Sequence, residues 1–107
     1  MALPAYYVFD VKIRDPERIK PYQAAVAETL KAFGGERLVV GGRPEAVEGD
    51  IPHGMLVIVR FPSLEHARAW HDSPAYQAII GYRLAAADTN AYLVEGFDAP
   101  SGITANT

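Results

Sequence analysis

Between Phe61 and Tyr76 the chain closes a strand and opens two helices in succession, as Phe61-Pro62-Ser63-Leu64-Glu65-His66-Ala67-Arg68-Ala69-Trp70-His71-Asp72-Ser73-Pro74-Ala75-Tyr76. Ser63 and Ser73 each stand where a hydroxyl can cap the free N–H groups of a new helix. Pro74 suits the first helical position, because its missing N–H would be unpaired there anyway. The Ser73-Pro74 pair therefore breaks what would otherwise be one helix into two. This stretch constrains the architecture strongly and dictates no reaction.

The rest of the chain supplies the partners of that unit. From Ala5 to Arg14 the residues alternate, with Ala5, Tyr7, Phe9, Val11 and Ile13 on one face of a strand and Tyr6, Val8, Asp10 and Lys12 on the other. Asp15-Pro16-Glu17 is a helix start, and Pro21, one turn later, places the regular helix after a short opening turn. Ile19, Tyr22, Val26, Leu30 and Phe33 recur at helical spacing as its buried stripe, which Gly34-Gly35 ends. A second strand spans Arg37 to Gly41, where Gly41-Gly42 allows a sharp bend into a short polar segment, and Gly49, Asp50 and Pro52 make a turn. Met55 to Phe61 is the most apolar strand. Helices over Leu64–Asp72 and Pro74 to about Ala87 follow, and Ala91 to Phe97 reads as the last strand. The order is β-α-β-β-α-β, the split βαβ pattern of ferredoxin-like folds.

Such a sheet carries its helices on one face. The other face presents Tyr6, Val8, Leu56 and Ile58 or their alternates, and both sets are largely apolar, which a solvated face would not be. Association through the sheet into a homodimer is the simplest answer. One domain over 1–98 is expected from the length, and the small, polar segment over 99–107 reads as disordered.

Composition excludes several partners. The net charge is −3, with ten basic residues scattered among thirteen acidic ones and no basic run, so no nucleic-acid partner is expected. Without cysteine, thiol nucleophiles, thiolate metal sites and thiol redox switching are excluded. No run approaches membrane-spanning length and the start lacks a signal-peptide pattern, so no membrane partner and a cytoplasmic location are expected.

The segments Ala5-Tyr6-Tyr7, Gly34-Gly35, Gly41-Gly42-Arg43 and Glu48-Gly49, and above all Phe61-Pro62-Ser63-Leu64-Glu65 through Trp70, Ser73 and Tyr76, resemble the small bacterial "domain of unknown function 1330" family. The resemblance runs from about Ala5 to Phe97. It implies an α+β fold, a ferredoxin-like split βαβ sandwich forming a dimeric α/β barrel in which two sheets pair. It implies no established reaction; neighbouring families on that barrel include cofactor-free monooxygenases, isomerases, haem enzymes and stress-response domains, and fold does not choose among them.

The candidate chemistry lies on the helices. His66 and His71 are five residues apart, roughly 140° around a helix, so they are poorly placed to share a metal, and no metal site is expected. His71, beside Trp70 and just before the helix break, is the candidate proton-transfer group; the structural alternative is a helix-terminal histidine favoured by the dipole. His53 lies in a loop and is expected to be exposed.

Tyr76, Ile79, Ile80 and Arg83 share a helical face, and a cation on an apolar face must find an anion or a carbonyl. Arg83 is therefore a candidate anchor for an acidic ligand, with a salt bridge to Glu45, Glu48 or Asp88 as the competing reading. Tyr22, Trp70 and Tyr76 complete the candidate ligand-binding set, against a plain role in core or interface packing. The glycine pairs lack the spacing of phosphate-binding loops and are better explained by turns. Two function classes survive: a small enzyme, needing no cofactor, that acts on a small organic acid or aromatic compound, and a non-catalytic dimeric module that binds a small ligand or assembles.

Overall fold

The computed structural model describes residues 3–97. The expected domain end at 98 and the expected disorder over 99–107 lie outside the described residues. In chain order the elements are β1 (Ala5–Ile13), α1 (Lys20–Lys31), β2 (Glu36–Gly42), β3 (Met55–Phe61), α2 (Leu64–Asp72), α3 (Pro74–Ala86) and β4 (Ala87–Glu95). The strands form one antiparallel sheet in the order β2-β3-β1-β4, which is the ferredoxin-like arrangement that the element order implies.

The alternation in β1 sorts its residues as a half-buried strand requires. Ala5, Phe9 and Val11 are buried beneath the helices, joined by Val59 and Phe61 of β3. Trp70, Tyr76 and Phe61 are the largest fully buried side chains, so both helices of the broken pair place an aromatic ring in the core. Ser73 joins them: its Oγ accepts from Tyr76 N at 3.2 Å and donates to Trp70 O at 2.7 Å, capping one helix while closing the other. Ser63 caps α2 by accepting from His66 N.

The opening turn before α1 is also present, with Arg18 N donating to Asp15 Oδ1 at 3.1 Å and Pro21 in the first turn of the helix. Gly34 follows the helix at φ +70, a conformation that only glycine enters without strain. Phe33 lies past the last turn, half-buried against the core.

The last strand differs from expectation. It begins at Ala87 instead of Ala91, directly after α3, with no loop between them. Ala87 and Asp88 have weak strand preference, but with Thr89 they stand opposite Ile13, Lys12 and Val11, and pairing along the whole of β1 overrides local propensity. The carbonyl of Ala86 accepts from both Arg14 N (2.8 Å) and Asp15 N (3.0 Å), tying this junction to the turn that leaves β1.

β2 runs one residue beyond the expected span at each end, and it is irregular. Arg37 stands opposite Val59 and Val39 opposite Ile58, so Leu38 is an extra residue; Val40 stands opposite Val57 and Gly42 opposite Leu56, which makes Gly41, at φ +76, a second one. Each bulge reverses which face the following residues occupy.

The far side of the sheet carries Tyr6, Val8, Leu56 and Ile58 in its middle, with Tyr92 and Val94 of β4 about half exposed. No described element covers it.

Candidate functional site

A cavity of about 350 Å³ lies between α1 and the helix-facing side of the sheet. Its walls are mostly apolar, among them Phe9, Val11 and Val57 from the sheet, Val26 and Leu30 from α1, and Trp70 from α2. Four groups bring polarity to it: Tyr22, Gln23, Arg37 and Arg83. A concave, apolar space with few converging polar groups has the make-up of a small-molecule site.

Arg83 is the group that shapes its chemistry. The residue is 5% exposed, and α3 aims it between α1 and β1 because it follows Tyr76 and Ile79 on one helical face. Its guanidinium lies 5.6 Å from the Phe9 ring centroid and 5.5 Å from that of Tyr22. Nη2 donates to Tyr76 Oη at 3.3 Å, and Nε is buried with no hydrogen-bond partner among the described residues. The competing salt bridge is absent among the described residues: Asp88 pairs with Arg14 at 3.0 Å, while Glu45 and Glu48 are exposed in the β2–β3 connection. Burial works against the charge, yet interaction with the Tyr76 and Tyr22 hydroxyls outweighs it and holds the guanidinium pKa above its ordinary value. The side chain is therefore a buried cation facing neutral partners.

The tyrosines form a relay beside it. Tyr22 Oη and Tyr76 Oη are 2.8 Å apart. Burial, then the proximity of Tyr76 and the bond to it, pushes the Tyr22 phenol well above its usual pKa, with Arg83 opposing, so the Tyr22 phenol stays protonated at neutral pH. Either hydroxyl can donate across this contact; when Tyr76 donates, the Tyr22 O–H is left free to point into the cavity.

Trp70 is held by its indole Nε1, which donates to Thr29 Oγ1 at 3.0 Å, and its ring centroid lies 4.0 Å from that of Tyr76. Tyr22, Trp70 and Arg83 thus line one cavity, and Tyr76, fully buried, stands behind it and orients two of them. His71 is not brought in. Trp70 occupies the buried stripe of α2, and the next residue, about 100° further round, lies against the Tyr7 and Tyr76 rings and 3.8 Å from Asp72, partly exposed and off the cavity wall. His53 is exposed, as its loop position implies. Among the described residues no group of three His, Cys, Asp or Glu could hold a metal ion.

The pattern of the Domain of unknown function (DUF1330) matches residues 4–97. The chain belongs to the DUF1330 family. No curated protein matches the sequence. Among solved structures, this DUF1330 chain is similar to RPA0582, a protein of unknown function from Rhodopseudomonas palustris, at a TM-score of 0.72 and 18% identity over 92% of this chain and 86% of that one. SnoaB, a cofactor-independent oxygenase from Streptomyces nogalater, aligns at 0.67 and 14% identity over 94% and 99% of the two chains. A dimeric ferredoxin-like protein of unknown function from Thermobifida fusca aligns at 0.60 and 13% identity over 89% and 92%. At these identities the likeness shows a shared fold.

Three residues of the DUF1330 chain that matter to the site's construction escaped sequence reasoning. Gln23 is one position from Tyr22 and looks like solvent-facing helix surface. Arg37 becomes a wall residue only through the pairing of β2. Asp10, 9% exposed on the uncovered sheet face, accepts from His53 N (3.2 Å) and Gly54 N (2.7 Å) and so clasps the β2–β3 connection to β1. Its alternation with apolar residues marked it only as outward-facing.

Proposed function

We propose that this protein is a homodimeric small-molecule enzyme that takes an acidic or aromatic compound into the cavity under α1 and converts it without a cofactor. The observation that carries the reading is Arg83, a buried guanidinium with no acidic partner among the described residues, facing an apolar cavity. A charge so placed is costly until an anion reaches it. A carboxylate, or the oxyanion of an enol or phenol, supplies that anion, and the apolar walls and Trp70 take up the ring or chain attached to it. Arg83 then favours the ionised form of the bound compound, and Tyr22 donates a second hydrogen bond. His71 has no part in this site.

The catalytic element is supported by the fold shared with SnoaB, a cofactor-independent oxygenase. The dimer is supported by the uncovered apolar sheet face and by the dimeric ferredoxin-like relative; a second copy packed on that face would complete the barrel. The test is a thermal-shift and calorimetric screen of small aromatic acids and phenols against wild type and Arg83→Met, followed by product analysis of each binder under air. Binding lost in Arg83→Met, with product formed by wild type, supports the enzyme. Binding without product reduces the reading to a ligand-binding module, and no anion binding by wild type overturns it.

A further inference from the structure

The geometry points to a ligand with two anionic groups, one held at Arg83 and the other at Arg37 on the cavity rim. This inference rests on the reading of Arg83 as an anchor and adds the class of compound selected. Arg37 lies on β2, the edge strand, and is exposed while forming part of the wall. It faces the cavity because of the extra residue at Leu38. Arg37 and Val39 would share a face in a regular strand; the bulge leaves Arg37 opposite Val59, on the helix-facing side, and turns Val39 to stand opposite Ile58, on the uncovered apolar side. A single insertion thus aims the cation into the cavity and spares the apolar face a polar residue.

Val40 follows Val39 on the helix-facing side, opposite Val57, and the second bulge leaves Gly41 on the same wall, so the rim is shaped at two adjacent points. Arg37 has no ion-pair partner among the described residues. Gln23 of α1 lines the same cavity from an exposed position and adds a donor for a second acidic group.

The register sets the spacing. Phe9, under the Arg83 guanidinium, belongs to β1, and Arg37 lies on β2 with only β3 between; Arg37 stands across Val59 from Tyr7, two residues along from Phe9, so the strand positions beneath the two anchors are about 12 Å apart, two strand spacings across and two residues along. A one-ring or short-chain diacid spans that gap with its apolar middle over Val57 and Val59. A monoacid of the same size leaves the rim cation unanswered.

The probes are terephthalate and p-toluate, alike in shape and differing in one carboxylate, titrated calorimetrically into the full chain. Wild type should bind terephthalate about fivefold more tightly, the effect of one partly exposed ion pair, and the preference should shrink as salt is added. Arg37→Gln should bring the two probes level without changing p-toluate affinity, and Arg37→Lys should keep most of the preference. A preference that survives Arg37→Gln, or equal binding by wild type, overturns the assignment of Arg37 and leaves Arg83 as an anchor. If neither probe binds wild type, the anchor reading and this inference fall together.

Discussion

Replacing Arg83 by methionine should leave the empty protein as stable as wild type or more so, although it deletes a buried, hydrogen-bonded side chain. The losses are a long hydrogen bond from a charged donor, Nη2 to Tyr76 at 3.3 Å, worth about 1.5 kcal/mol, and two cation–π contacts at 5.6 and 5.5 Å, worth about 1 kcal/mol each. Against them stands the several-kcal/mol cost of keeping an ion out of water without a counter-ion, which the substitution removes. Methionine fills most of the same volume with a flexible apolar chain, and Tyr76 keeps Tyr22 as a partner. The terms nearly cancel, with a surplus toward stability. At about 4–8 °C per kcal/mol for a domain of this size, the melting temperature of Arg83→Met without ligand should match wild type or exceed it by several degrees, while any ligand-induced increase disappears. Calorimetric melts with and without benzoate measure both. A fall of more than about 10 °C in the empty protein would mean that the charge is already satisfied within the fold, and the argument for a missing anion would be wrong.

Ser73→Ala should cost about 1–2 kcal/mol in denaturant melts, because it removes the cap of α3 and the hydroxyl bound to Trp70 O in a buried corner; Pro74→Ala should cost less, and the reverse order would show that the break is held by the proline. Light scattering should give twice the chain mass, and Ile58→Glu should yield monomer by placing a charge in the middle of the uncovered face; a monomeric wild type would leave the barrel without its second half. Because folding raises the Tyr22 and Tyr7 pKa values above the ordinary 10.0, their contribution is complete below about pH 10 and should fall above it, by up to about 1.4 kcal/mol per pH unit for the buried Tyr22 phenol and by less for the more exposed Tyr7. An alkaline decline just as steep in Tyr22→Phe would remove Tyr22 from that account.

The sequence made the framework legible where local chemistry and the global fold agree. Ser63, Ser73 and Pro74 mark helix starts by their own hydrogen-bonding capacity, and the alternation of β1 and β3 sorts the core from the outer face. It failed where pairing decides. Ala87–Asn90 becomes strand because β1 is there to receive it, and Arg37 turns inward because Leu38 is displaced from the ladder; neither partner is adjacent in sequence. Arg83 was readable as a cation on an apolar face, but its lack of a carboxylate depends on where Asp88, Glu45 and Glu48 end up. His71 adjoins Trp70 in sequence, but one residue is about 100° of helix, and that turn separates them.

The Ala86 carbonyl, shared by the amides of Arg14 and Asp15, bears on how such a chain can change in length over evolutionary time. Adding a residue beside Ala86 or in the turn after β1 would withdraw one end of that shared bond and shift β4 against β1, turning every inward side chain of the last strand outward. The β2–β3 connection has more freedom, since beyond the grip of Asp10 on His53 and Gly54 most of its residues are exposed and it can be lengthened without moving the ladder. Inherited insertions should therefore collect beside the bulged edge of β2, at the mouth of the cavity, where they would alter which ligands enter and leave the framework intact.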